Sequence, residues 1–110
     1  MGKETLGELE QQVLLAVLRL GDGAYSASIV TELEERTGRE VAPAAVYIAL
    51  RRLEQNQVAS SEMRPPSDDP QARPRRYFRV EEKGRALLRE TRRQLVSLWD
   101  GLDGALERGA

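Results

Sequence analysis

PPSDDPQARPRRYFRV, residues 65–80, begins with prolines and aspartates, gathers arginines, and closes on a short alternating run. Pro, Ser and Asp in succession favour a loop. The run from Arg75 to Glu81 carries Tyr, Phe and Val, which predicts a strand with Phe78 and Val80 on one face and Tyr77 and Arg79 on the other. Upstream, V-A-S-S-E-M over Val58–Met63 predicts a second strand. The quoted stretch is then the connection of a hairpin. Arg73, Arg75, Arg76 and Arg79 crowd its far lip, and Pro74 stiffens the chain among them.

Working outward, three helical patterns precede the hairpin. In L-G-E-L-E-Q-Q-V-L-L-A-V-L-R-L the residues Leu6, Leu9, Val13, Val17 and Leu20 recur at helical spacing, with Leu14 and Leu18 widening the stripe, and Gly21-Asp22-Gly23 ends it. In A-Y-S-A-S-I-V-T-E-L-E-E-R-T-G, Ser26 is the expected N-cap, Ile29, Val30 and Leu33 the inward stripe, and Gly38 the C-cap. A third helix starts with Pro43 in its first turn, where the missing N–H removes no bond, and runs to about Gln57 with Val46, Leu50 and Leu53 facing inward. After the hairpin a long helix is expected from about Lys83 to Arg108. The order is helix, helix, helix, strand, loop, strand, helix. That predicts a mainly α chain with a small β-hairpin (α+β): a winged helix-turn-helix over residues 1–81 and a C-terminal dimerisation helix over residues 82–110.

Composition narrows the function. With 110 residues the chain forms one small folding unit. It has no Cys and no His, which removes disulfides, thiol chemistry, the commonest general base and the commonest metal ligands. Its carboxylates sit beside Lys and Arg, as in E-L-E-E-R, and read as solvated helix faces, so neither catalysis nor a metal or cofactor is expected. No apolar run is long enough to span a bilayer and no secretory leader pattern is present, so a cytoplasmic location is expected. The net charge of −1 argues against a general polyanion binder. Charge is segregated, however: residues 64–79 hold five arginines against two aspartates, a local patch that screening keeps separate from the acidic N-terminal third.

On the third helix, the side opposite Val46, Leu50 and Leu53 is Ala44, Ile48, Arg51 and Gln55, flanked by Pro43, Tyr47 and Arg52. Two readings stand. As a recognition helix in a DNA major groove, Arg51 reaches guanine or phosphate, and Ile48 or Ala44 touches thymine methyls. As a docking surface, Tyr47 and Ile48 pack against another protein. The basic hairpin favours DNA, because Arg73, Arg75, Arg76 and Tyr77 beside such a helix suit phosphate contact or the minor groove.

These residues resemble the PadR-like transcriptional regulators. L-G-E-L-E-Q-Q-V-L-L-A-V-L is similar to that family's opening helix and Y-S-A-S-I-V-T-E-L-E-E-R-T-G to its second. V-Y-I-A-L-R-R-L-E-Q-N-Q-V resembles its L-Y-P-A-L-x-R-L-E-x-x-G-L-V, and R-P-R-R-Y-F-R-V-E-E-K-G-R-A-L-L its R-x-Y-Y-x-L-T-x-x-G. The resemblance implies a cytoplasmic homodimeric repressor of double-stranded DNA that binds an inverted repeat, with Tyr47 at the recognition-helix tyrosine and Arg75, Arg76 and Tyr77 in the wing motif. It also admits a small aromatic or drug-like effector. The chain departs from the pattern at Ala42, Ala44 and Ala45, where hydroxyl residues are common, at Ile48 in place of proline, at Asn56, taken as standing at a usual turn glycine, and at Glu81 in place of a hydroxyl cap.

In the final helix, Leu88, Leu95 and Leu102 repeat every seven residues, with Leu98, Trp99 and Leu106 on the adjoining rows. A small winged domain cannot cover that stripe, so a second copy of the chain is the expected partner in a two-fold arrangement. Gly101 and Gly104 either end the helix after Asp100 or admit the partner closely. Trp99 is expected in the dimer core, or lining an interfacial pocket for a planar effector.

Overall fold

The computed structural model describes residues 5–107. In chain order it contains α1 (Glu8–Leu20), a 3-10 turn (Gly21–Gly23), α2 (Ser26–Thr37), α3 (Pro43–Gln55), β1 (Ala59–Arg64), β2 (Arg75–Val80) and α4 (Glu82–Trp99). The strands pair antiparallel with Ala59 opposite Val80, Ser61 opposite Phe78 and Arg64 opposite Arg75. This is the winged helix-turn-helix order expected from the sequence.

The three-helix core follows from the apolar periods. Val13, Leu14 and Val17 of α1, Ile29 and Leu33 of α2, and Val46, Leu50 and Leu53 of α3 are all buried. Phe78 and Val80 close the core from the hairpin, together with Val58 and Ala59. Each large side chain removed from water here contributes about 1.5–3 kcal/mol. Val30, expected inside, lies at the edge as a partly buried neighbour of this cluster.

Several boundaries differ from expectation. The N-cap of α2 is Tyr25 rather than Ser26. Its N–H donates to Ser28 Oγ at 2.9 Å, so the hydroxyl that stabilises this helix start comes from the third helical position. Gly38 does end α2, in the left-handed region with its N–H on Glu34 O. Helix α3 starts at Pro43 with a bare Ala42 cap and stops at Gln55. There the left-handed residue is Gln57 (φ 63), not Asn56 (φ −91). Gln57 N–H bonds Glu54 O and Val58 N–H bonds Leu53 O, the paired closure of a helix that normally ends in glycine.

The last helix is shorter than expected. It ends at Trp99, and residues 100–107 form turns, with Gly101 at φ 82. Two glycines and two aspartates in six residues, 99–104, give up too much helix propensity for an exposed end to continue. Leu102 therefore lies beyond α4, and Arg108 lies outside the described residues. The helix touches the core at its start only. Gly84 is its one buried residue, with Leu87 and Leu88 half-buried behind it. Beyond them α4 projects, which stretches the molecule to 56 Å in its longest dimension.

Candidate nucleic-acid interface and the apolar cleft

Pro43, Ala44, Tyr47, Ile48, Arg51 and Arg52 all lie on the exposed side of α3. That face is set by the core: with Val46, Ala49, Leu50 and Leu53 turned inward, the 3.6-residue period leaves the others outward. Tyr47 and Ile48 keep more than half their surface open. Arg51 leans on Tyr47, donating from Nη1 to the phenolic oxygen at 3.1 Å, with its guanidinium 5.9 Å from the ring centre. The tyrosine thus holds a charged, planar donor away from the helix surface, in an orientation that suits a base edge or phosphate.

At the wing, Arg73, Arg75 and Arg76 are exposed, but Tyr77 is buried. The reading of Tyr77 as an outward partner of Arg79 is corrected by a contact the alternation rule cannot see. The chain before α2 lies against β2: Phe78 N–H donates to Ala24 O at 2.8 Å, and Tyr25 forms an isolated antiparallel bridge with Tyr77. This pairing runs along the edge of β2 opposite β1 and brings the Tyr25 side chain onto Tyr77. The Tyr25 and Tyr77 rings meet edge to face at 5.6 Å. Arg64 stacks on Tyr77 at 3.8 Å and Arg75 on Tyr25 at 4.3 Å, so the two tyrosines lie between two arginines. Hydrogen bonding to the Tyr77 hydroxyl, helped by Tyr25 and Asp68, raises the Arg75 pKa above its ordinary value. Neither Tyr25 nor Arg64 was among the residues singled out from the sequence. The only local hint was the Tyr25–Ser28 spacing, because the contact joins residues about fifty positions apart.

The remaining arginines divide by partner. Arg64, Arg79, Arg89 and Arg93 pair with Glu62, Glu81, Glu82 and Glu90. Among the described residues, no ion pair engages Arg51, Arg52, Arg73, Arg75 or Arg76, although Arg76 does donate to Ser61 Oγ at 3.0 Å. Arg19, Arg39, Arg85 and Arg92 likewise make no ion pair among the described residues, so α3 and the wing hold five such arginines and α4 two. Glu81 is held differently from a capping residue. It makes no side-chain bond to the start of α4; instead its carboxylate accepts from Ser60 Oγ and Arg79 Nε. These two contacts, Ser60 first, lower its pKa below the ordinary carboxyl value.

A second feature lies across the molecule. Leu15 and Leu18 of α1 and Leu95, Val96 and Trp99 of α4 are exposed and flank one open cleft of about 670 Å³. Leu98 and Leu102, expected with them at an interface, are exposed nearby, while Leu88 is half-buried at the cleft's inner end. The α1 share of this surface differs from the sequence expectation, in which Leu18 widens the inward stripe. Arg85, Arg89 and Arg92 stand at one end of the cleft and Asp100 and Asp103 at the other. Among the described residues, no group of three or more His, Cys, Asp or Glu is placed to hold a metal ion, and no helix is long and apolar enough to cross a membrane.

Comparison with known proteins agrees with this architecture. No curated protein matches the chain closely. Among solved structures, a PadR family transcriptional regulator from Eggerthella lenta DSM 2243 is similar at 30% identity and TM-score 0.66, with 93% of this chain and 88% of that chain covered. A PadR-like transcriptional regulator from Bacillus cereus strain ATCC 14579 shares the fold at TM-score 0.75 and 18% identity, covering 92% of this chain and 93% of its own. A Streptococcus transcriptional regulator shares it at TM-score 0.67 and 24% identity, covering 91% and 98%. The model of the PadR-like family matches residues 14–90, from the buried Leu14 of α1 through the wing and into α4. With helices, wing and family match in agreement, the chain belongs to the PadR-like family of transcriptional regulators.

Proposed function

We propose that the protein is a cytoplasmic homodimeric repressor that binds an inverted repeat in double-stranded DNA. In this reading residues 1–81 are the DNA-binding domain and residues 82–110 join two copies. Helix α3 enters the major groove, with Arg51 on a base edge and Tyr47, Ile48 and Ala44 against thymine methyls and the sugar-phosphate wall. Pro43 and Arg52 flank it, and Arg73, Arg75 and Arg76 of the wing meet phosphates. The observation that carries this reading is the exposed row of α3 beside the wing, where Arg51, Arg52, Arg73, Arg75 and Arg76 all face outward and have no carboxylate partner among the described residues.

The exposed α1–α4 surface supports a second copy as its occupant. An antiparallel two-fold pairing of α4 would set the arginine end of one helix against the Asp100 and Asp103 end of the other, so the surface is complementary to itself in charge as well as apolar. Leu88, Leu95, Leu98, Trp99 and Leu102 are the proposed interface. A small aromatic or drug-like effector stacked on Trp99 within that cleft would compete with, or reshape, the pairing.

Binding-site selection from a random duplex library tests the reading. A two-fold symmetric motif with half-sites about one helical turn apart is expected. The rival is a protein-docking module using Tyr47 and Ile48, which are exposed apolar residues. Salt separates the two: affinity for duplex falls steeply with added salt, whereas apolar docking does not. A wild-type chain that selects no sequence and shows no salt-dependent duplex affinity overturns the repressor reading.

A further inference from the structure

We propose that Tyr25, at the start of α2, is a positioning residue for DNA binding: its ring holds Arg75 of the wing at a fixed place, and the phosphate affinity of Arg75 depends on it. The inference rests on the DNA-binding reading above and adds a residue outside the recognition helix and the wing.

An arginine on a two-stranded hairpin normally samples many rotamers, and fixing them on binding lowers affinity. Arg75 is exposed and has no ion-pair partner among the described residues. The Tyr25 ring, with its centre 4.3 Å from the guanidinium carbon, restrains it from one face, alongside the hydrogen bond to the Tyr77 hydroxyl. A guanidinium stacked by its face keeps its N–H edge directed outward, where a phosphate can accept from it. The platform is itself immobile. Tyr25 is fixed at its backbone by Ser28 Oγ and by the bridge to Tyr77, and at its ring by the edge-to-face contact with Tyr77. Tyr77 is clamped from its other side by Arg64, whose Nη2 also donates to Asp22 O at 2.7 Å. The wing is thereby tied to the turn between α1 and α2. The tie fixes the height of Arg75 relative to α3, the two elements that must meet one DNA duplex together.

The test is a double-mutant cycle on duplex affinity across a salt series, using a random-sequence duplex and the full chain. Arg75→Ala should lower affinity about tenfold at low salt and reduce the slope of log K against log salt by about one unit per engaged wing. Tyr25→Leu should reproduce most of that loss, and adding it to Arg75→Ala should cost nothing further. Tyr25→Phe keeps the ring and should bind as wild type. Arg75→Lys keeps the charge but lacks the planar group, and should be insensitive to Tyr25→Phe or Tyr25→Leu. If Tyr25→Leu does not fold, the comparison of Arg75→Lys with Arg75→Ala decides: a lysine that binds as well as arginine sinks the stacking argument. Independent, additive losses from Tyr25→Leu and Arg75→Ala, or an unchanged salt slope in Tyr25→Leu, also overturn it. A wild type with no duplex affinity removes the DNA-binding reading and this inference together, whereas normal wild-type binding with a silent Arg75→Ala removes only the inference.

Discussion

A Cβ built on Gly84 would stand 2.6 Å from the carbonyl oxygen of Val58 and 2.7 Å from Val80 Cγ1. That carbonyl is already held by Glu81 N–H at 2.9 Å, so the obstacle is bonded backbone that cannot swing aside. Gly84 is where α4 crosses the base of the hairpin, and no side chain fits the crossing. Gly84→Ala should therefore lower stability by about 1–3 kcal/mol, against the roughly 1 kcal/mol that alanine normally adds to a helix. Gly104, with open space around its Cβ position, is the control: Gly104→Ala should stay within about 0.5 kcal/mol. Urea unfolding of the two variants checks this. A Gly84→Ala protein as stable as wild type would show that α4 sits off the hairpin.

Gln57 occupies a glycine's conformation at the end of α3. A side chain in the left-handed region costs about 1–2 kcal/mol, so Gln57→Gly should raise stability by about 1 kcal/mol, less what glycine loses through unfolded-state entropy. Asn56→Gly, one residue earlier at φ −91, should gain nothing. Melting temperatures of the two variants distinguish the positions.

Leu95 stands half exposed in the middle of the α1–α4 cleft. A carboxylate introduced there would be buried at a two-fold interface opposite its own copy. Leu95→Asp should give monomer by sedimentation while the winged domain, whose buried core does not include Leu95, keeps its circular dichroism. Wild type sedimenting as a monomer at micromolar concentration contradicts the proposed dimer.

Arg51, poised on Tyr47, should discriminate bases rather than merely add affinity. A bidentate arginine–guanine pair is worth about 1–3 kcal/mol, so Arg51→Ala should relax preference at one position in each half-site. Tyr47→Phe, which removes the hydroxyl that receives Arg51 Nη1, should blur the same position partially. Identical selected motifs for wild type and Arg51→Ala would exclude a base-reading role.

Glu81 supplies a pH dependence whose sign is fixed by its partners. Ser60 and Arg79 lower its folded-state pKa below the ordinary carboxyl value. Its contribution is therefore present above that ordinary value and is lost as pH falls through the lowered one. Glu81→Gln should remove this acid-side loss of stability. Melting temperature followed from neutral to acid pH should converge for the two proteins at the acid end.

The sequence made the buried stripes, the hairpin and the exposed row of α3 legible, since Val46, Leu50 and Leu53 or Phe78 and Val80 repeat at the period of their own element. It misled where one element is covered by a distant one. Tyr77 alternates outward from Phe78, yet Tyr25 and Arg64 bury it. Leu18 shares a period with Val17 and Leu14 but faces α4, which nothing in its own helix indicates. The end of α4 turned on a balance between the leucine spacing and two glycines, and the described chain places the break after Trp99. Gly84 falls on the glycine of the R-x-Y-Y-x-L-T-x-x-G pattern, but nothing in its own helix explains it, because the crowding comes from Val58, twenty-six residues away.

Trp99, the single tryptophan of the chain, ends α4 on the wall of the apolar cleft with about half its surface open. Its indole emission is consequently uncontaminated by any second indole and belongs wholly to that surface. Drying of the ring, whether by a partner chain or by a stacked aromatic molecule, shifts such emission to shorter wavelength or quenches it. The protein thus carries its own optical probe: dilution, titration with small aromatics and addition of duplex can each be followed without a label, and their separate spectral signatures compared on one chromophore.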